Sequence, residues 1–315
     1  MVWDGDQFTD NDYLMCPPTL IAFLLKHKVW AFRIYISGLE EITWKEDPFL
    51  SLQLPEEKKR LVKSLVQGFG LDKDDFHLES YEDIIEGKGK GLVFLLHGPP
   101  GLGKTLTAES VAESTHRPLY HVSTGELSTN VEIIEKQLTE IFRLGLRWGA
   151  VVLLDEADVL MTKRTTAELE RNAVVAVFLR LIEYYDGMLF LTTNRFDDFD
   201  NAFYNRIHVS LRYYPLQSSE RTNIWRQHIT RATQRPRNHN EYSQWSEETF
   251  QLLGQIETNG RDIRNFTRTA YGYALALGED LSISHVMTVI RNNLNVDDSS
   301  KLVQSLNELE ALQLR

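Results

Sequence analysis

Short apolar runs alternate with amphipathic stretches through the middle of the chain. Between the runs, helical periodicity predicts helices over residues 104–114, 131–147 and 168–184. Buried strands joined by helices of this length are typical of a parallel sheet that is covered on both faces. We therefore predict an α/β fold with a doubly wound parallel sheet. Its strands are expected at residues 92–96, 119–122, 151–154, 188–192 and 208–211, and the first of them is expected to be central.

The two ends of the chain follow other patterns. Trp30, Phe32, Ile34 and Ile36 alternate with other residues, which predicts a strand, and the stretch from Pro55 predicts an amphipathic helix. After residue 215, four helical stretches follow one another without a strand run. We predict four parts: a partly disordered N-terminal strand and helix region, an α/β domain, a small all-α domain, and a tail whose leucine spacing fits one more helix. Their predicted bounds are residues 1–79, 80–215, 216–292 and 293–315.

Composition and charge narrow the classes of protein to consider. The chain has 315 residues and a formal net charge of −11, which argues against a general nucleic-acid-binding surface. Its one cysteine, Cys16, cannot form an intrachain disulfide and fits a reducing compartment. The acidic start resembles no targeting peptide, and the apolar run at residues 20–25 is too short to span a membrane. We expect an intracellular protein without a membrane span. The cytoplasm is the leading location, and the nucleus or an organelle is the alternative.

A glycine-rich stretch, HGPPGLGKT at residues 97–105, directly follows the first predicted strand. Gly98, Gly103, Lys104 and Thr105 fit the phosphate-binding loop G-x-x-x-x-G-K-[ST], in which backbone N–H groups surround an anion at a helix start. In such a loop Lys104 contacts the β- and γ-phosphates, and Thr105 is a Mg²⁺ ligand. A chance match is the alternative, but the strand before the loop and the helix after it supply the context that the motif requires.

Polar side chains also follow two later strands. The stretch VVLLDEAD places Asp155 and Glu156 at the carboxyl end of a buried strand, where ligands bind in doubly wound sheets. Asp155 is expected to hold Mg²⁺ through water, and Glu156 is expected to polarise an attacking water. The stretch LFLTTNR brings Asn194 beside the γ-phosphate position. A strand end capped by solvated polar groups is the alternative for each motif alone, and their order after the phosphate loop argues against it.

This order of motifs, followed by an arginine and a helical module, resembles the AAA+ ATPases and in particular their AAA clade. The resemblance covers about residues 80–292. More narrowly, GLVFLLHGPPGLGKT, LERNAVVAVFLRLIEYYDG, NRIHVSL and NGRDIRN are similar to a group of fungal-type AAA-domain proteins with a larger N-terminal part, which would be cut short here. The resemblance implies a P-loop NTPase fold followed by a small helical lid, with ATP and Mg²⁺ as ligands.

The resemblance also implies a role for individual residues. Asp155 and Glu156 match the Walker B motif with its catalytic glutamate, and Asn194 matches sensor 1. Arg206 falls at the arginine finger, which acts on a neighbouring subunit's nucleotide; a surface arginine paired with an acid is the alternative. Gly98 to Thr105 match the Walker A motif. The match implies nucleotide binding by Gly98, Pro99, Pro100, Gly101, Leu102, Gly103, Lys104, Thr105 and the next residue, Leu106.

Two further matches concern the rest of the nucleotide. Arg261 falls at the sensor 2 position of the lid, where a packing role is equally open and Arg264 is the alternate candidate. Many members of the clade have an alanine at this position. Ile84 and Ile85 lie where the adenine pocket of the family begins. Arg261, Ile84 and Ile85 complete the predicted site.

Two departures from the family pattern concern the arginine finger and the handling of a polypeptide. The segment around Arg206 is shorter than usual and keeps one arginine where the clade has two. The stretch at residues 123–138 lacks the aromatic residue with which many AAA unfoldases grip a polypeptide, although Leu127 and Val131 could contact a partner. We therefore do not expect peptide threading in the usual manner.

The leading hypothesis is Mg²⁺-dependent hydrolysis of ATP to ADP and phosphate by a ring, expected to be a hexamer, that remodels an unknown protein client. The alternative is a nucleotide-binding scaffold with little or no hydrolysis. A nucleic-acid motor is disfavoured by the charge of −11. A small-molecule kinase shares the phosphate loop but does not need the Asp-Glu pair, the Asn-tipped strand and the helical lid together.

Overall fold

The computed structural model describes residues 15–44, 49, 52–69, 91–163, 169–195, 199–233, 245–294 and 308–309. Its strands are β1 (Thr19–Leu24), β2 (Val29–Tyr35), β3 (Leu92–His97), β4 (Leu119–Ser123), β5 (Val151–Asp155), β6 (Met188–Thr193) and β7 (Val209–Arg212). Its α-helices are α1 (Glu56–Phe69), α2 (Lys104–Ser114), α3 (Val131–Arg147), α4 (Asp158–Met161), α5 (Leu169–Glu183), α6 (Ser218–Thr233), α7 (Glu247–Gln255), α8 (Gly260–Leu277) and α9 (Ile283–Asn293).

A five-stranded parallel sheet forms the centre of the molecule, with the order β4-β5-β6-β3-β7. All five predicted strands and the three predicted helices between them are present, so the predicted α/β fold is confirmed. β3 is an interior strand, but it neighbours the edge strand β7, and β6 is the middle strand. The expectation that the first strand is central was therefore wrong by one position.

Each face of the sheet packs against helices. One face contacts α3 and α5 through residues such as Leu138 and Phe178, and the other contacts α1 and α2 through residues such as Val62 and Val111. Because both faces are covered, β3, β5 and β6 have almost entirely buried side chains. This explains why these strands are continuous apolar runs in the sequence.

The chain order of the strands creates a crevice at the side of the sheet where the strands have their carboxyl ends. From β3 the chain crosses through α2 to the edge strand β4 and then returns through β5 to β6, which lies beside β3. The carboxyl ends of these parallel strands therefore meet where the direction of winding changes, which is the usual ligand position in open α/β sheets. The loop after β3, Asp155 at the end of β5 and Asn194 after β6 all lie at this edge.

The helices α6 to α9 pack around a second apolar core. This core contains Trp225 on α6, Leu253 on α7, Ile263 on α8 and Val286 on α9. The side chain of Leu309 is also buried in it, whereas the rest of the predicted tail after residue 294, apart from residue 308, lies outside the described residues. None of the helices in the described parts of the chain is long and apolar enough to cross a bilayer.

An antiparallel hairpin of β1 and β2 lies at the edge of the main sheet beside β4. β2 corresponds to the predicted alternating strand, while β1 was not predicted. Phe23 of β1 contacts the rings of Trp30, Tyr120 and Trp148 at centroid distances of 5.3, 5.9 and 5.0 Å. An ion pair between Lys28 and Glu126 adds a polar link to the segment after β4.

Candidate functional site

The loop between β3 and α2 has the backbone geometry of an anion cradle. Gly98, Gly101 and Gly103 have φ angles of 140°, 76° and 94°, a region that L side chains rarely adopt. A Cβ atom on Gly98 would lie 2.4 Å from the Tyr213 carbonyl oxygen, and one on Gly101 would lie 2.4 Å from Asn259 Oδ1. The first two glycines are therefore required both by conformation and by close neighbours.

Lys104 is the first residue of α2 and is only 7% exposed. Its ammonium donates to the carbonyl oxygens of Gly98 and Pro99 at 2.7 and 2.8 Å and to Asn194 Oδ1 at 2.9 Å. Burial lowers the pKa of Lys104, while the carboxylates of Asp155 and Asp158 act in the opposite direction. The lysine thus brings the phosphate loop and the end of β6 together, as the two motifs predict.

Asp155 forms the centre of a second polar cluster. Thr105 Oγ1 donates to its carboxylate at 3.1 and 3.3 Å, and the hydroxyl of Thr192 donates to Oδ1. His121 Nε2 lies 3.4 Å from Oδ2. Burial raises the pKa of Asp155, but the contacts with His121, Thr192 and Thr105 outweigh burial and hold that pKa below its ordinary value. Asp155 is therefore a carboxylate at neutral pH.

Glu156 has an exposed side chain on an unusual backbone. Its φ angle is 57°, in the left-handed region that non-glycine residues rarely occupy. The backbone is fixed on both sides, because its N–H donates to Thr192 Oγ1 at 3.0 Å and its carbonyl accepts from the hydroxyl of Thr124. Ala157 N–H adds a bond to the Thr192 carbonyl at 2.8 Å. Held backbone strain of this kind is frequent at functional sites.

A cleft of 1270 Å³ extends between the sheet edge and the helical region. Lys104, Thr105, Asp155, Glu156 and Asn194 all line it, so the structure brings these predicted residues together. The helical region supplies the opposite wall, where Arg261 and Arg264 are found together with residues that the motifs did not reveal. These further residues are Ile224, Gln227, His228 and Arg231.

The wall formed by the helical region carries several positive charges. Burial lowers the pKa of His228, and the neighbouring Arg231 and Arg264 lower it further. Arg261 is close enough to contribute to the lowered pKa of Lys104. A cleft with a buried lysine on one wall and arginines on the other is suited to a polyanion.

Arg206 is not among the residues that line this cleft. Its Nε and Nη2 atoms donate to Glu183 Oε2 at 3.2 and 2.6 Å, and Nη1 donates to the Ala202 carbonyl at 2.8 Å. The side chains of Arg206 and Glu183 are 26% and 21% exposed. Within one chain this arginine has the ion pair that the sequence left open as an alternative. Ile84 and Ile85 lie outside the described residues.

The donor atoms of Thr105 on α2 and Asp155 at the end of β5 fit a magnesium ion bound together with a phosphate. Thr105 and Asp155 offer one hydroxyl and one carboxylate, which are hard oxygen donors. Mg²⁺ in nucleotide sites is usually held by one or two such groups, with phosphates and waters completing the octahedron. The adjoining glycine loop has the shape to hold the phosphates.

The comparisons with known proteins agree with this geometry. Residues 94–213 match the model of the family described as "ATPase family associated with various cellular activities (AAA)". A Lon protease of Leptospira interrogans is 32% identical over 41% of this chain and 16% of its own length. The probable 26S proteasome regulatory subunit 6B of Caenorhabditis elegans is 27% identical over 55% of this chain and 46% of its own length. The chain thus spans less than half of each of these relatives.

A solved structure is similar over most of the chain. The crystal structure of the FIGL-1 AAA domain in complex with ADP aligns with a TM-score of 0.58 and 20% identity, covering 86% of this chain and 92% of that one. At this identity the likeness concerns the fold alone. None of these comparisons concerns the narrower fungal-type resemblance, which stays a prediction. Residues 94–213 thus match the AAA family, and the fold is shared with a solved AAA domain.

Proposed function

We propose that the chain binds ATP and hydrolyses it to ADP and phosphate in the cleft between the sheet edge and the helical region. The observation that carries this proposal is the junction of three motifs from distant parts of the sequence. Lys104 contacts Asn194 at 2.9 Å, and Thr105, next to it on α2, contacts Asp155 at 3.1 Å. The proposal treats residues 80–215 as the nucleotide-binding domain and residues 216–292 as its lid.

Each residue has a role that follows from its position. The glycine loop and Lys104 would hold the β- and γ-phosphates, and Arg261 would approach them from the lid. Glu156, exposed at the carboxyl end of β5, would polarise the attacking water, and Asn194 would orient that water or the γ-phosphate. Mg²⁺, held by Thr105 and through water by Asp155, would neutralise charge on the phosphate oxygens.

We also propose that the active form is a ring, with a hexamer as the leading model, which remodels a protein client. A phosphoryl-transfer site gains about 10³–10⁵ in rate from an arginine finger. Arg206 does not line the cleft of its own chain, so it would act as such a finger only on the nucleotide of a neighbouring copy. The relatives named as a proteasome regulatory subunit and a Lon protease motivate a protein client rather than a nucleic acid.

One observation favours the second candidate, a nucleotide-binding scaffold with little hydrolysis. Arg206 already makes three hydrogen bonds within its own chain, two of them to Glu183. If these bonds persist in the assembly, no finger completes the site. The catalytic positions Lys104, Asp155 and Glu156 are nevertheless all filled, and for this reason we place hydrolysis first.

Phosphate release in the presence of ATP and Mg²⁺ tests the proposal directly. We expect steady turnover by the wild-type chain and a loss of about 10²–10⁴-fold in Glu156→Gln, because this variant keeps the phosphate contacts but lacks the base. Its ATP affinity should stay within about twofold of wild type. The matched control is Glu248→Gln, an exposed position on α7, which should retain full turnover. Turnover that persists in Glu156→Gln rejects the assignment, and ATP binding without any wild-type turnover favours the scaffold.

A further inference from the structure

One histidine at the site belongs to none of the sequence motifs. His121 lies on the edge strand β4, where it pairs with Leu153 of β5. Its neighbours Tyr120 and Val122 point into the core beneath α3 and α5. Because side chains alternate along a strand, His121 lies on the opposite face of the sheet, which it shares with Asp155.

The imidazole of His121 reaches across to the carboxylate. Nε2 lies 3.4 Å from Asp155 Oδ2, although the His121 side chain is 44% exposed and could extend into solvent. Burial raises the pKa of Asp155, and several contacts lower it. Among these contacts, the one with His121 has the largest effect. The contact is thus long but is directed at the one carboxylate that the proposed magnesium site contains.

The other partners of Asp155 approach from different directions. Thr192 donates to Oδ1, and Thr105 lies closer to Oδ1, at 3.1 Å, than to Oδ2, at 3.3 Å. The two hydroxyls therefore fix mainly one oxygen of the carboxylate. His121 is placed to limit rotation of the other oxygen, Oδ2, which has fewer hydroxyl contacts.

We propose that His121 is a positioning residue that orients Asp155 and thereby strengthens the Mg²⁺-dependent part of nucleotide binding. The inference rests on the proposed function, because it assigns a role to a further side chain of the same nucleotide site. Groups that orient a metal-binding side chain affect metal affinity without touching the metal. Binding of nucleotide without metal does not involve Asp155 and is therefore not expected to depend on His121.

The test is a titration with a fluorescent N-methylanthraniloyl ADP, in Mg²⁺ and separately in EDTA. Replacement of such an orienting group typically costs about 10–100-fold in metal affinity, and we expect about 3–10-fold here because the contact is long and half-exposed. His121→Leu should therefore weaken binding by this factor in Mg²⁺ and leave binding in EDTA unchanged. His121→Gln, whose amide can place a donor near the position of Nε2, should recover part of the loss.

His27→Leu is the matched control, since His27 is an exposed histidine in the turn of the hairpin. It should bind as wild type does under both conditions. Equal affinity of His121→Leu and wild type in Mg²⁺ overturns the inference, and so does an equal loss with and without Mg²⁺. Because the readout is binding, these outcomes leave the proposed hydrolysis intact. A wild-type chain that binds no ADP analogue overturns the proposed function together with the inference.

Discussion

Single glycines determine whether the phosphate loop can form. Gly101 has a φ angle of 76°, and a Cβ atom there would lie 2.4 Å from Asn259 Oδ1. That oxygen also caps the start of α8, because it accepts from Asp262 N–H at 2.9 Å. The loop and the start of α8 are therefore in direct contact at this point. A side chain at position 101 would disturb both.

We expect Gly101→Ala to weaken binding of the fluorescent ADP analogue by about tenfold or more, since a loss of ~1.4 kcal/mol already has this effect. The left-handed conformation alone costs about 1–2 kcal/mol with an L side chain. Gly149 provides the control, because its φ angle is 58° and nothing lies within 4 Å of a Cβ atom there. Gly149→Ala should lower the free energy of unfolding in urea by about 1–2 kcal/mol and leave ADP binding unchanged. Unchanged binding in Gly101→Ala would contradict the role of this contact.

Sequence reasoning found the residues whose chemistry is tied to a fixed spacing. The loop at residues 98–105 and the pair Asp155 and Glu156 could be predicted because each motif is local, and the parallel sheet brings their strand ends together. His121 and His228 could not be predicted in this way. Each reaches the cleft from a separate strand or helix, and its spacing from the motifs carries no signal. The ion pair of Arg206 with Glu183 also depends on packing, although sequence left such a pair open.

Among the elements, the hairpin shows where periodicity fails. The segment that forms β1 was read only as an apolar run, because Leu20, Ile21, Ala22, Phe23 and Leu24 do not alternate with polar residues. In the structure the pairing with β2 shifts register between Leu20 and Ala22. Such a shift interrupts the period of two on which strand prediction depends. β3, β5 and β6 were found as continuous apolar runs because both of their faces are buried.

The attachment of the hairpin should depend on Phe23. This ring contacts Trp148 at 5.0 Å and Tyr120 at 5.9 Å, so that it joins β1 to the edge of the main sheet. We expect Phe23→Ala to lower the free energy of unfolding by about 1–3 kcal/mol, which is less than for a fully buried phenylalanine. Urea unfolding followed by tryptophan fluorescence measures the change, and Trp148 should report the detachment.

Phe32 is the matched control on the partner strand, because its side chain is 70% exposed. Phe32→Ala should change the free energy of unfolding by no more than about 0.5 kcal/mol. If the two variants are equally stable, the aromatic contacts do not attach the hairpin. If both are strongly destabilised, the hairpin instead depends on its own strand pairing or on a covering partner.

At the scale of the whole molecule, the question is whether one chain is a complete catalyst. The cleft is lined by the glycine loop, by Asp155 and Glu156, and by arginines of the helical region, whereas Arg206 lies outside it in an ion pair with Glu183. A partly exposed pair of this kind contributes only about 0–1 kcal/mol. The cost of losing this ion pair is small compared with the effect of a finger on a neighbouring nucleotide, which changes the rate by about 10³–10⁵-fold. Assembly could therefore displace the arginine from Glu183 at little cost.

Two inactive variants can decide whether Arg206 acts between chains. Glu156→Gln keeps its arginine but lacks the base, whereas Arg206→Ala keeps a complete nucleotide site but lacks the finger. In a head-to-tail ring of randomly mixed subunits, roughly a quarter of the interfaces combine an intact site with an intact finger, so mixing should restore up to about that share of wild-type phosphate release. Neither variant should show this activity alone, and dilution should abolish it, because the shared site exists only in the assembly.

The control separates a finger from a structural ion pair. Glu183→Gln removes the charge that holds Arg206 but keeps the arginine, so it should retain turnover. When it is mixed with Glu156→Gln, the phosphate release per Glu183→Gln subunit should not fall. If Arg206 is needed only for the bond to Glu183, then Glu183→Gln should be as inactive as Arg206→Ala, and mixing Arg206→Ala with Glu156→Gln should restore nothing. That result would mean that hydrolysis, where present, is completed within one chain, because the arginine would have no role at a neighbour's phosphate.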